Sequence, residues 1–245
     1  MKCLILAAGY ATRLYPLTEN FPKPLLKVLD KSIMDWIVDD LEESGKIDEI
    51  IVVSNHKFIH FFEEWKETKK TKITLIDDGT TSNENRLGAM ADIQLVIEKL
   101  QIDEDLMVLA GDNVLDFSLK RFIDFFEEKK RTCVTSYYEE DLNKIKKCAS
   151  IKIDNNNRVL EMIEKPANPT SHLCCPAFYI YAKEDVKMVK KAIEEGCNID
   201  VPGSFINYLY TRSEIYDYQM PGRRYDIGNL ESYEFVNQNY KGIIK

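Results

Sequence analysis

The chain has 245 residues, 44% of them hydrophobic and 30% charged, and a formal net charge of −8. This composition is that of a soluble globular protein with material for a sizeable core, and its acidic balance argues against nucleic acid or an anionic membrane as partner. No apolar run approaches membrane-spanning length, the apolar start Cys3 to Ala8 is too short for a signal-peptide core, and six cysteines without a Cys-x-x-Cys pair support neither a metal site nor a redox motif. The expectation is a cytoplasmic chain with reduced thiols.

The apolar run Leu4-Ile5-Leu6 predicts a buried strand that opens into Ala7, Ala8 and Gly9, with Arg13 and Lys23 beyond. Small residues let a backbone approach a ligand and aim several N–H groups at it. An arginine and a lysine just past such a loop add mobile positive charge, and together these residues describe a polyphosphate cradle. Ser32-Ile33-Met34-Asp35 has capping-box spacing and starts a helix that Gly45 ends. A strand follows over Glu49 to Ser54, then a helix marked by Phe58, Ile59, Phe62 and Trp65, then a strand over Lys72 to Ile76. A helix over Leu87 to Leu100, a strand over Leu106 to Ala110 and a helix over Leu119 to Glu128 complete an alternation that implies a parallel sheet covered on both sides.

The second half changes character. Thr132 to Tyr138, Ala149 to Ile153, Val159 to Ile163 and Ala177 to Tyr181 read as strands with fewer helices between them, which suggests antiparallel additions. Glu184 to Glu195 reads as a helix, Tyr216 to Met220 as a late strand, and a last helix follows Asn229. No repeat or linker interrupts the chain, so the expectation is one domain over residues 1–245.

Several groups could carry chemistry. Asp112, in Gly111-Asp112-Asn113, stands at the carboxyl end of a predicted central strand, where open α/β sheets bind ligands. A carboxylate there can hold Mg²⁺ against phosphate oxygens, or simply close a turn. Asp226 lies between a short strand and a helix that Asn229 can cap. Glu164-Lys165 follows a strand and, on its own residues, reads first as a solvated charge pair. His56 and His60 are four apart on a predicted helix, but no third ligand accompanies them, so they read as surface or packing histidines. Asp103-Glu104-Asp105 precedes its strand, at the wrong end of a sheet for metal chemistry, and reads as a solvated turn.

The order Leu6-Ala7-Ala8-Gly9, Thr12-Arg13-Leu14, Pro16-Leu17-Thr18 and Pro22-Lys23-Pro24-Leu25 resembles the signature of sugar-1-phosphate nucleotidyltransferases, the group that contains glucose-1-phosphate thymidylyltransferase. The resemblance runs over nearly the whole chain. It implies a Rossmann-like, three-layer α/β/α fold with a mixed, mostly parallel central sheet. The implied reaction joins an NTP to a phosphorylated acceptor, usually a sugar 1-phosphate, and releases pyrophosphate. Leu6, Ala7, Ala8 and Gly9 would bind the nucleotide, with Asn83 and Gly88 facing base and nucleoside; Asn83 stands where thymidylyltransferases commonly carry glutamine. Arg13 and Lys23 would hold the nucleotide phosphates and Lys165 the acceptor phosphate. Asn113, Ala149 and Glu164 would contact the acceptor, and Asp112 and Asp226 would hold Mg²⁺. Cys148-Ala149 replaces an aromatic and a glycine of the family pattern, and Asp200 to Ser204 is placed on the sugar side. Monomer and homo-oligomer both fit.

Related small enzymes move cytidylyl or uridylyl groups, some onto acceptors such as phosphocholine, and a catalytically silent nucleotide-sugar-binding regulator on the same fold is a further alternative. None of Arg13, Lys23, Asp112, Lys165 or Asp226 is missing, which weighs against a silent protein. A dinucleotide-binding oxidoreductase lacks its Gly-x-Gly-x-x-Gly here, since Gly9 stands alone after the first strand.

Overall fold

A computed structural model describes residues 1–244 as a mixed α/β fold in two compact units. Unit 1 comprises Met1–Leu87, Ala110–Arg121 and the stretch from Pro221 onward; unit 2 comprises Gly88–Leu109 and Phe122–Met220.

In unit 1, strand Lys2–Leu6 pairs in parallel with Glu49–Ser54, which pairs in parallel with Ile73–Asp77. All six residues of Glu49–Ser54 are buried, as a parallel strand covered on both faces requires. The helix between the first two of these strands, Ile33–Ser44, begins as expected. Ser32 Oγ accepts the Asp35 N–H and Asp35 Oδ2 accepts the Ser32 N–H, both at 3.0 Å. Gly45 ends it with a φ of +66°, where glycine carries no steric penalty. A second apolar cluster joins distant parts of the chain: Leu14, Leu26, Val28 and Ile33 pack with Val114, Ile227, Val236 and Tyr240. The Tyr240 hydroxyl donates to the Leu115 carbonyl at 2.7 Å, so its burial leaves no donor stranded.

Unit 2 carries the expected antiparallel additions. Phe178–Tyr181 lies antiparallel between Leu106–Ala110 and Cys133–Tyr138. Leu173–Cys174 follows on the other side of Cys133–Tyr138, then Ala149–Ile153, then Val159–Glu164 at the edge. Strand Tyr216–Gln219 runs parallel to Cys133–Tyr138.

Three expectations need correction. The helix expected over Glu184 to Glu195 is two short helices, Lys183–Val186 and Val189–Glu194; between them the Met188 N–H bonds the Asp185 carbonyl, three residues back, and the ladder tightens and breaks. The helix expected from Leu87 starts at Ala89, because Gly88 has a φ of +98° and stays outside it. Helix Gly203–Leu209 was not foreseen, since Pro202-Gly203 reads as a turn. All six cysteines are free thiols, and among the described residues no helix is long and apolar enough to cross a membrane.

One buried acid makes stability depend on pH. Asp217 is fully buried; Ser136 Oγ donates to its Oδ2 at 2.7 Å, and its Oδ1 has no partner among the described residues. Burial pushes this carboxyl up to about 7, against the Ser136 bond. Because the folded value lies above the unfolded one, folding favours the protonated acid. Stability is therefore full below the unfolded value near 4 and falls as pH rises through 7. Asp217→Asn should exceed the wild type by roughly 3 kcal/mol at pH 8, with the gain vanishing near pH 4. Urea unfolding at the two pH values checks this; an equal difference at both would contradict it.

Candidate active site

The loop after the first strand, Ala7 to Gly9, is held by its scaffold on one side and open on the other. The Ala7 N–H donates to the Val53 carbonyl at 2.9 Å, and the Ala8 carbonyl accepts Asn55 Nδ2 at 2.9 Å. Gly9 is exposed, and a Cβ built on it would meet nothing within 4 Å. Ala11 turns the chain in the left-handed conformation, φ 47°, and its carbonyl takes both the Leu14 N–H at 2.9 Å and Thr18 Oγ1 at 2.8 Å. This turn buries Leu14 in the unit 1 core and leaves Arg13 exposed. Arg13 Nη2 lies 3.8 Å from where a Gly228 Cβ would stand, and Asp226 Oδ2 lies 3.6 Å from the same point. The first and last motifs of the chain thus meet around one glycine.

Lys23 and Asp112 form an ion pair, Nζ to Oδ2, at 2.8 Å. Lys23 is only 7% exposed, and Asp112 is half-buried. Burial raises the Asp112 carboxyl, but Lys23 beside it, with Arg224 nearby, outweighs that and holds it below the usual carboxylate range. Gly111 makes the approach possible. Its N–H donates to the Leu6 carbonyl at 3.0 Å, and a Cβ would stand 2.9 Å from Ile5 Cγ2 and 3.0 Å from the Leu6 oxygen.

Strand Asn113–Leu115 pairs antiparallel with Arg224–Asp226, and the register sets Asp226 opposite Asn113. Asn113 Nδ2 donates to Asp112 Oδ1 at 2.6 Å, while its Oδ1 accepts from Arg224 Nη1. Arg224 Nη1 also stands 3.6 Å from Asp226 Oδ1. Arg224 therefore braces both carboxylates. It carries no local sequence signal, and its part emerges only from the strand pairing.

In unit 2 the chain turns sharply after the edge strand. Lys165 is left-handed, φ 46°, and its N–H donates to the Cys148 carbonyl at 3.1 Å. That conformation costs a non-glycine residue about 1 kcal/mol, and a strained backbone of this kind supports a functional reading. Glu164 is half-buried; burial raises its carboxyl, with Lys165 pulling the other way. Ala149 pairs with Glu164 in register, and its carbonyl accepts the Cys175 N–H at 2.8 Å. Gly88 fits against the backbone of Ile199 and Asp200: a Cβ would stand 2.6 Å from the Ile199 oxygen, which accepts the Met90 N–H at 2.8 Å. Asn83 lies in unit 1, half-buried in the short helix Asn83–Asn85.

His56 precedes helix Ile59–Lys66 rather than lying on it, so the two histidines do not share a helix face. His56 Nδ1 pairs with Asp77 Oδ2 at 2.6 Å, which raises its pKa; the His60 ring packs on Phe61, 4.1 Å between centroids. Asp105 accepts the Lys183 N–H at 2.8 Å and Asp103 pairs with Lys183 Nζ at 2.8 Å, so this acidic turn clamps the start of a helix.

Among the described residues no group of three or more His, Cys, Asp or Glu is placed to hold a metal. Asp112, just before strand Asn113–Leu115, and Asp226, opposite Asn113 on the partner strand, supply two carboxylates, all oxygen. That donor set fits Mg²⁺, which takes one or two protein carboxylates and fills its other positions with water and substrate phosphate.

An open small-residue loop, basic groups beside it and two carboxylates at a strand pair are what an α/β protein that handles phosphates would need. The chain belongs to the nucleotidyl transferase family, whose model matches residues 2–242. It is 27% identical over 250 residues to the UTP–glucose-1-phosphate uridylyltransferase AglF of Haloferax volcanii, covering 97% of this chain and 96% of that protein. A Sulfolobus acidocaldarius protein assigned as a mannose-1-phosphate guanyltransferase is 27% identical over 187 residues, 75% of this chain. The chain's match spans only 49% of that relative's length. The crystal structure of a UDP-glucose pyrophosphorylase complexed with UDP-glucose shares the fold, with a TM-score of 0.83 at 22% identity, covering 98% of this chain and 97% of the other.

Proposed function

We propose that the protein is an Mg²⁺-dependent nucleotidyltransferase that joins an NTP to a sugar 1-phosphate of the glucose 1-phosphate type, giving an NDP-sugar and pyrophosphate. The observation that carries this reading is the cluster of Lys23, Asp112, Asn113, Arg224 and Asp226, with Arg13 beside Asp226 across Gly228. The relatives' own substrates support it, as does a family match that spans residues 2–242. The free thiols suit a cytoplasmic setting.

The difficulty of the reaction is electrostatic. Two unit charges about 4 Å apart interact by about 4 kcal/mol at an effective dielectric of 20, and both substrates are polyanions. Arg13 holds the β and γ phosphates and steadies the leaving pyrophosphate as its charge grows. Lys23 serves the α phosphate and Lys165 the acceptor phosphate. Asp112 and Asp226 would hold Mg²⁺, which when bound would supply Lewis-acid polarisation of the α phosphate. The acceptor phosphate is already ionised at neutral pH, so the site needs no general base, and none of its residues is a histidine or serine nucleophile. Asn83 remains our candidate for reading the base.

A panel of NTPs against sugar 1-phosphates and phosphocholine, read by pyrophosphate release with and without Mg²⁺, tests this. The expected result is Mg²⁺-dependent release with at least one NTP and one sugar 1-phosphate. Nucleotide binding without turnover across the panel would replace the enzyme with a nucleotide-sugar-binding regulator.

A further inference from the structure

The register of unit 2 gathers its acceptor residues on one face of the sheet. Glu164 pairs with Ala149, the Ala149 carbonyl takes the N–H of Cys175, and Met162, two residues before Glu164, shares its face. Helix Gly203–Leu209 meets that face at its first residue. A Cβ built on Gly203 would stand 2.8 Å from Met162 Cε, 3.2 Å from Glu164 Oε2 and 3.5 Å from the Tyr179 hydroxyl.

The backbone does not call for glycine there, because Gly203 is not among the positive-φ glycines. Glycine is also a poorer helix former than alanine. What its missing side chain provides is room, at the point where a carboxylate and a phenol converge. The phenol has little freedom to yield: Tyr179 is 1% exposed and stacks on Tyr181, 5.8 Å between centroids. Met162 can swing its terminal methyl aside. A side chain at this position would therefore move the Met162 methyl and press on the Glu164 carboxylate.

We propose that Gly203 is a specificity-determining position for the acceptor. By leaving its side-chain space empty, it keeps the Glu164 carboxylate beside the Tyr179 hydroxyl, and the two together receive neighbouring hydroxyl groups of a sugar phosphate. The carboxylate accepts two hydrogen bonds and the phenol both donates and accepts, which matches a polyhydroxylated ring. Phosphocholine offers no hydroxyl to this pair. This inference rests on the nucleotidyltransferase reading and names the acceptor side of it.

Steady-state kinetics of Gly203→Ala test it, with KM measured separately for the sugar 1-phosphate and the NTP. The expected result is an acceptor KM raised about tenfold or more, with kcat and the NTP KM within about twofold of wild type. The melting temperature should be unchanged or slightly raised. The double variant Gly203→Ala/Met162→Leu withdraws the Cε methyl and keeps the contact with Glu164; the acceptor defect should persist in it. It also serves if the single variant folds poorly. Recovery of the acceptor KM in the double variant would make Gly203 a packing partner of Met162 and overturn the proposal. So would an unchanged acceptor KM in Gly203→Ala, or a loss with phosphocholine as large as the loss with the sugar 1-phosphate. Those results leave a working wild-type enzyme, whereas a wild type inert with every sugar 1-phosphate would sink the activity itself together with this inference.

Discussion

Asp226→Asn should lose roughly 10²–10⁴-fold in turnover, the worth of several kcal/mol of Lewis-acid stabilisation, and still melt like the wild type. Its side chain is 55% exposed, and its charged neighbour Arg224 is separately anchored on Asn113. Asp112→Asn should lose as much turnover but behave differently on heating. It deprives Lys23, 7% exposed, of its carboxylate. Stranding one member of such a pair destabilises by about 2 kcal/mol where the partner is half-exposed, which lowers the melting temperature by about 5 °C in a chain of this size. The double variant should lose less activity than the product of the single losses, because both carboxylates act on one ion. Turnover against Mg²⁺ concentration, calorimetric Mg²⁺ titration without substrate, and melting curves give the three readouts. An Asp226→Asn protein that melts early yet keeps wild-type turnover and Mg²⁺ affinity would make Asp226 structural.

Arg13→Ala and Lys165→Ala should separate the leaving group from the acceptor. Arg13 is exposed, so its removal should leave stability intact and depress kcat by roughly 10²–10³-fold, since the charge it meets grows in the transition state. Lys165→Ala should chiefly raise the acceptor KM, by about 10²-fold. The left-handed backbone at Lys165 provides a control. Lys165→Gly removes the same charge and relieves about 1 kcal/mol of backbone strain, so it should be as poor with acceptor as Lys165→Ala but more stable. Equal changes in both substrates' KM with kcat intact would contradict both assignments.

Local pattern carried much of this in the sequence. Ser32 to Asp35 and Gly45 bounded their helix because caps are short-range devices, and the Glu49–Ser54 strand was visible as an unbroken apolar run. The small-residue loop after the first strand and the carboxylate of Asp112 stand out for the same reason: small residues and an acid just past a strand end are local features. Contacts between distant segments could not be read. Nothing near Lys23 announces Asp112, and nothing near Arg224 announces Asn113, because those bonds follow from strand pairing and loop packing. Gly203 entered only through the resemblance, within the stretch Asp200 to Ser204 on the sugar side; that it opens a helix has no local signal, because Pro-Gly usually marks a turn. Asp217 sits in a strand between tyrosines, and alternation alone would have put its carboxylate in solvent.

The order in which the chain is made adds a consequence. Unit 1 is built from three separated stretches, and its second cluster needs Leu14, Leu26, Val28 and Ile33 from the first and Ile227, Val236 and Tyr240 from the last. During synthesis the early members emerge long before their partners. Every segment of unit 2 has been polymerised by Met220, while this part of unit 1 still lacks its closing residues. The nascent protein therefore carries the early half of this apolar cluster without its partners for the whole interval, a state that invites chaperone binding and aggregation. The same late stretch brings Asp226, so the second metal-ligand candidate arrives with the residues that finish the cluster. A chain stalled or clipped before Pro221 would lack Ile227, Val236 and Tyr240 of the cluster together with Asp226.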